Sequence, residues 1–462
     1  MDAILGIVIS VLGQAPVLIA FVAMIGLIAQ GASFERTVSG TLKSLLGMLL
    51  LVAGAGVIVS MLGAMADIMA EAFGFQGIVP VNEAITALAM NQFGAQMAII
   101  TVGAFAVNVI LARITPLRYI FLSGHHILFI ATISTAMLFT LGLSNATVLI
   151  LGSLISGIVL TVMPALSMPF MHKATDGAGF AMGHLATAGY VLSGLVGSVV
   201  GGDPEKTDSE KIEFKGRLSF MRESLLLMGL GIAVVYLLSA IVVGFRPGGI
   251  DFLTQYSGDQ NPYVWVFTQS FVFAAGVAII LQGVRMFVGE IVPAFRGISE
   301  KIIPNAKPAL DCPAVFPYGE KSVLMGFFGY TIGLVLAMIF LLVIDFPVII
   351  IPILFHSFFM GGTAGVFGNA TGGRRGAVIG AAVQGFLNSS LQAVLFTMLA
   401  SLGFEGTTFA DTDFLWTGMV ISWLGDNIIL MMAVFVAVLV IGIVVELRVT
   451  RPMLQKSATA ES

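Results

Sequence analysis

Apolar residues in this chain run in blocks too long for strands and too unbroken for the amphipathic helices of a soluble protein. Blocks long enough to cross about 30 Å of hydrocarbon fall near 13–30, 44–63, 96–112, 119–141, 145–163, 225–244, 263–288, 323–344, 377–402 and 416–446. Two further apolar stretches, 164–200 and 346–376, are interrupted. Pro164 and Pro169 stand among Gly177, Gly179 and Gly183, and Pro347 and Pro352 precede Gly361, Gly362, Gly365 and Gly368. Backbone released from helix at membrane depth persists only where protein buries it or where it lines a cavity. The pattern predicts an all-α polytopic membrane protein of about eleven transmembrane helices, with re-entrant hairpins at 164–200 and 346–376.

Polar punctuation divides the chain. Residues 202–223 hold 11 charged side chains and read as a solvated linker between two membrane halves, 1–201 and 224–415. A final span at 416–446 and a polar tail at 447–462 follow. The halves echo each other weakly. Ala72-Phe73 followed by Ile78-Val79-Pro80-Val81-Asn82 resembles Ala294-Phe295 followed by Ile302-Ile303-Pro304-Asn305, and Pro164, Phe170 and Gly177 recur as Pro352, Phe358 and Gly365. Two inverted repeats would place a substrate at their interface near mid-membrane. Basic residues in short loops set orientation: Arg36, Lys43, Arg113, Arg118, Arg448, Arg451 and Lys456 share one side if the N-terminus is outside and the C-terminus cytoplasmic. The first basic residue is Arg36, so the first apolar block is expected to be a retained span rather than a cleaved signal.

Composition sharpens this. Of 462 residues, 58% are apolar and 10% charged, against about a quarter charged in soluble domains, which excludes a soluble enzyme, a nucleic-acid binder and a disordered chain. Fifty-four glycines suit close helix packing in lipid. A single cysteine, Cys312, excludes an intrachain disulfide and a cysteine-based metal cluster. No phosphate-binding loop, HExxH helix or GxSxG elbow occurs, so no catalytic residue, metal or cofactor is expected.

Ionisable groups inside apolar blocks are expensive and mark function. His125 and His126 follow Gly124 within 119–141 and point about 100° apart on a helix, so packing alone explains at most one of them. In Thr175-Asp176-Gly177-Ala178-Gly179, Asp176 is read as the N-cap of the second hairpin arm, with free amides able to face an anionic or hydroxyl-rich ligand, and His184 lies eight residues on. The second hairpin offers Thr363 and Asn369 at a glycine-rich tip. Gln282, Arg285 and Glu290 close the span 263–288, with a loose Arg285–Glu290 pair as the plain reading. Asp311 sits at a turn before Pro313 and matches Asn82-Glu83 in the repeat.

These strings resemble a known family. SGHH (123–126), TDGAGFAMGH (175–184), GTAGVFGNATGGRRGA (362–377) and above all QGVRMFVGEIVPAFRGISEKIIPNAKPALDC (282–312) are similar to the ascorbate-type enzyme IIC components of the bacterial phosphotransferase system. The likeness implies a homodimeric, elevator-type permease in the bacterial plasma membrane, with core and scaffold domains. It also implies a partner IIB subunit that phosphorylates the sugar and a IIA subunit that recharges IIB. Carried over, the substrate contacts are His125, His184 and Asp311, with Gly124, His126, Asn82 and Glu83 beside them. The chain departs from the family pattern where glutamines are expected, at Phe129 and Leu185, and where Asn82-Glu83 replaces a hydroxyl pair. Hydrogen bonds to hydroxyls discriminate strongly, so the implied substrate widens from ascorbate to a related sugar acid or pentose-like carbohydrate. The alternative is an ion-coupled elevator transporter in which Asp311 or Glu83 binds a proton or sodium.

Overall fold

The computed structural model describes residues 15–460, except 75–76, 213–222, 302, 400–401 and 404–406. Helices dominate. In chain order they are α1 (Ala15–Ala29), α2 (Phe34–Phe73), α3 (Asn82–Ile114), α4 (Gly124–Thr140), α5 (Asn145–Ala174), α6 (Thr187–Val200), α7 (Ser224–Gly244), α8 (Gly249–Ser257), α9 (Pro262–Lys301), α10 (Glu320–Val343), α11 (Gly362–Leu399), α12 (Thr412–Leu424), α13 (Ile428–Val445) and α14 (Arg451–Ala460). Among the described residues seven helices are long and apolar enough to cross a membrane, and four apolar helices are shorter. The chain is therefore a predominantly helical, polytopic membrane protein.

Among the described residues five short strands interrupt the helices: β1 (Val79–Pro80), β2 (Tyr119–Phe121), β3 (Ala181–Met182), β4 (Lys307–Leu310) and β5 (Thr407–Thr408). An all-α reading misses them because each is a few residues embedded in apolar sequence, too short for a period-2 signal. They form two small parallel sheets. In one, β4 is central, with Phe121 opposite Ala309 and Met182 opposite Leu310. In the other, β1 pairs with β5, and Ile78 bridges to Ile350 on its far side. Parallel pairing requires partners distant in sequence, so these strands fasten the first half of the chain to the second.

The interrupted stretches behave differently from each other. Pro164 and Pro169 lie inside α5, which continues to Ala174, so the predicted hairpin at 164–200 does not begin at the prolines. Membrane helices tolerate proline because neighbouring groups satisfy the released backbone. The break comes later, at 175–186, where Asp176 and Gly177 have positive φ. In the second stretch the helical path reverses at Gly373 (φ 60°, ψ −153°), a conformation only glycine adopts readily. The arms on either side touch through the backbones of Gly368 and Gly376, and α6 lies in the groove between them, with Gly197 against Gly372 and Gly368. A side chain at Gly372 would enter the Gly197 backbone.

The proposed correspondence of Pro164 with Pro352 fails, because Pro352 precedes a helix while Pro164 lies within one. The last apolar block, 416–446, is two helices rather than one span, α12 and α13, with Asn427 capping the second through Leu430 N. The linker is also not wholly solvated. Glu210 accepts from the backbone N–H of Lys321 (3.1 Å) and Ser322 (2.8 Å), capping α10. Residues 213–222 lie outside the described residues.

Two bundles result. In one, α2 packs along α9, joined by α1 and α7; in the other, α11 packs against α10 and α6, while α5 packs along α3.

Candidate functional site

Sheet register builds the site. Beyond the ends of β2, β3 and β4 the ladder continues, with Leu122 N donating to Ala309 O (3.0 Å) and Gly183 N to Leu310 O (2.6 Å). Shortly beyond these three strands come His125 and His126 in the first turn of α4, then His184 after β3 and Asp311 after β4. His125 Nε2 lies 3.5 Å from Asp311 Oδ2, and His184 Nε2 lies 3.9 Å from Asp311 Oδ1. His126 fits between the other two imidazoles, with ring centroids 4.4 Å from His125 and 4.1 Å from His184. Phe129 sets its edge against both His125 and His126, and Phe414 stacks on His126 at 5.7 Å.

The second sheet delivers a matching group. Asn82 follows β1, Asp411 follows β5, and His356 follows the Ile350 bridge. Asn82 Nδ2 donates to Asp411 Oδ2 at 2.6 Å, while Asn82 Oδ1 accepts from Ala410 N at 2.8 Å. Asn388 and Gln392 of α11 both donate to the Ala410 carbonyl, at 2.7 Å each.

Both groups line one cavity of about 330 Å3, which holds His125, His126, His184, His356, Asp311, Asp411, Asn82 and Phe129. Four of the chain's five histidines are here. α2 closes one wall through Leu51 and Val52. Neutral imidazole offers one donor and one acceptor, ionised carboxylate only acceptors, and carboxamide both, so the lining can satisfy a ring of hydroxyl groups in either sense. The Nδ1 atom of His126 is buried and makes no hydrogen bond within the protein. Three sets, His125/His126/Asp311, His126/His184/Asp411 and His184/Asp311/Cys312, bring their donor atoms within 4.8 Å and could hold a metal ion.

His184 is braced from behind. Its Nδ1 is 3.0 Å from the Tyr190 hydroxyl, and Thr187 Oγ1 donates to its carbonyl. Asp413 accepts from Thr187 N (2.8 Å) and Ala188 N (3.2 Å), so it caps α6. Asp176, the residue expected to cap this arm, instead lines a separate polar cavity with Lys173, Asp208 and Glu210. A cap 226 residues away in sequence leaves no local signal.

Other expected positions also fall elsewhere. Gly177 rests against His172, and the Thr363 hydroxyl donates to Phe359 O within its own helical path. Asn369 holds the linker, donating to Asp208 Oδ1 at 2.7 Å and accepting from Ser209 N at 2.9 Å. Gln282 is exposed, and Arg285 pairs with Glu320 at 3.2 Å while Glu290 pairs with Arg36 at 2.6 Å, so the Arg285–Glu290 pair does not form. Gly124 is buried at the start of α4 and Leu185 is fully buried. The Glu83 side chain lies outside the described residues. Sequence reasoning passed over His356 and Asp411. The cost argument that singled out His125 applies equally to His356 in an apolar stretch, whereas Asp411 sits in a polar loop where an aspartate is ordinary.

Residues 10–413 match the family model described as the PTS system sugar-specific permease component. This chain belongs to that family. A relative from Mycoplasma pneumoniae, the "Ascorbate-specific PTS system EIIC component", is 25% identical over 422 residues, which cover 81% of this chain. The chain spans 64% of that relative's length.

Proposed function

We propose that this permease component carries ascorbate or a similar small carbohydrate across the bacterial plasma membrane, for phosphorylation by a partner IIB protein that a IIA protein recharges. The observation that carries the reading is the convergence of four imidazoles, two carboxylates and one carboxamide on a single cavity from two separate sheets. Its volume of about 330 Å3 lies at the small end of ligand pockets, as a molecule of one sugar ring requires. Among the described residues neither Lys nor Arg lines it, so hydroxyl groups, and any negative charge on the guest, would be met by the imidazoles. The direct contacts are His125, His126, His184 and Asp311, with Phe129 against the apolar face, Asn82 and Gly124 in support, and His356 and Asp411 added to the set.

An inverted-repeat design supports transport by alternating exposure. α2 and α9 are both 40 residues long and begin 228 residues apart, at 34 and 262, and β1 and β4 begin 228 apart, at 79 and 307. Each central strand has two parallel neighbours from elsewhere in the chain. At this offset Glu83 would correspond to Asp311, the match read from sequence. In this scheme the bundle of α1, α2, α7 and α9 is the scaffold of a homodimer, and the cavity-bearing bundle slides past it. The N-terminus is outside and the C-terminus cytoplasmic.

The test is uptake of labelled ascorbate by cells with and without the IIA–IIB relay, with the product identified. Phosphorylated product that depends on the relay is the expected result. Unmodified substrate that enters without the relay and collapses with the ion gradient would favour the ion-coupled alternative.

A further inference from the structure

A second polar cavity, of about 520 Å3, lies away from the site, where the end of α3 and the start of β4 meet the chain beyond α13. Arg118, Lys307 and Arg451 line it, with Glu446 as the single carboxylate. That carboxylate is already engaged: Tyr119 donates to Glu446 Oε2 at 2.7 Å, and Arg451 Nε lies 3.4 Å from Oε1. Arg118 is fixed by its Nη1 bonds to the carbonyls of Ala112 (3.2 Å) and Arg113 (2.9 Å), which turn its guanidinium across the end of α3. Lys307 is half-buried, and no carboxylate of the described residues comes within 4.0 Å of its ammonium group. Three cations against one spoken-for carboxylate leave a net positive cavity.

Glu446 is the one opposite charge near Lys307 and is shared with Arg451, so the half-buried ammonium is under-compensated, which is costly. β4 also fixes the position of Lys307, because its backbone N–H donates to Arg118 O at 2.8 Å. Arg118 immediately precedes β2 and Lys307 opens β4 opposite Tyr119, so the sheet holds the two cations beside one space.

The geometry points to a binding site for the phosphate group of an anionic ligand, gripped by Lys307, Arg118 and Arg451. Arginine forks and a lysine point charge are the usual recognition groups for phosphate oxygens. The surroundings favour a phospholipid headgroup as the source. Leu454 shares the lining, and Leu447 and Val449 are exposed on the adjoining turn, giving an apolar path for acyl chains beside the charged head. Arg113, Arg448 and Lys456 lie on the flanking segments, and such an excess marks the cytoplasmic leaflet, where anionic lipids concentrate. A small phosphate ester would use the same groups without the apolar path.

The experiment is thermal unfolding of the full chain in neutral detergent, titrated separately with phosphatidylglycerol, phosphatidylcholine and inorganic phosphate. The wild type is expected to gain stability saturably with phosphatidylglycerol and not with phosphatidylcholine. Lys307→Gln should shift that titration about fivefold to weaker binding, Lys307→Glu further, and Lys307→Arg little. Lys206→Gln, on the exposed linker, should titrate like the wild type. Should Lys307→Gln fail to fold, Arg451→Gln takes its place. An equal response to inorganic phosphate would assign the site to phosphate esters in general. No saturable response of the wild type to either phosphate source, or unchanged titration of Lys307→Gln and Lys307→Glu, would overturn the site.

Discussion

The two sheets bring polar groups to one cavity but hold them in opposite ways. At the end of the β2–β4–β3 sheet the imidazoles meet Asp311 at 3.5 and 3.9 Å, longer than a charge-assisted hydrogen bond, and His126 keeps an unsatisfied nitrogen. At the end of the β1–β5 sheet Asn82, Asp411 and Ala410 are bound to one another at 2.6 and 2.8 Å, with α11 holding the Ala410 carbonyl from behind. The first group has bonding capacity left over for a guest; the second has spent most of its capacity on itself. Under the proposed function, selectivity would belong mainly to the histidine side, and shape to the asparagine side.

Substitutions can break that division. Asp311→Ala should have the largest effect, lowering affinity for labelled ascorbate about 100-fold, since it removes a charged acceptor from between two imidazoles. His184→Ala should follow closely; if both variants bind like wild type, the histidine side is not the recognition face. Asp413→Ala should cost about 2 kcal/mol in thermal unfolding by uncapping α6 and weaken ascorbate binding only through His184. A stable protein with unaltered affinity would mean that the cap does not position that histidine.

Asn82→Ala should destabilise the fold by about 1–3 kcal/mol, because Asp411 loses a donor in a buried setting, yet change affinity less than His184→Ala. The reverse order would invert the assignment of roles. Arg285→Gln should be nearly silent, within about 1 kcal/mol in stability, because its pair with Glu320 is partly exposed and such pairs contribute little. Relay-dependent uptake that fell steeply in Arg285→Gln would restore the supporting role expected from sequence.

Much of the candidate site was legible because charge and imidazole in apolar sequence are conspicuous. His125, His126, His184 and Asp311 stand out for that reason, and all line the cavity. The errors share a cause. From neighbours in sequence, a cap or a hairpin tip is the natural use of Asp176, Thr363 and Asn369. In the fold Asn369 anchors the linker and Asp176 faces a different cavity. Pro164 and Pro169 were judged as breakers, which holds in water and weakens where surrounding helices satisfy the backbone.

Composition and hydrophobic block length alone determined that this chain lives in a membrane as a set of helices, since the cost of exposing backbone to lipid leaves few alternatives. The family resemblance also lay in the linear string. What only tertiary structure decided was which polar residues meet. His184 and Asp411, Asn82 and Asp411, and Asp413 and the start of α6 are joined across more than two hundred residues. Parallel strand pairing and close glycine contacts set those meetings, and the sequence records the residues but not their partners.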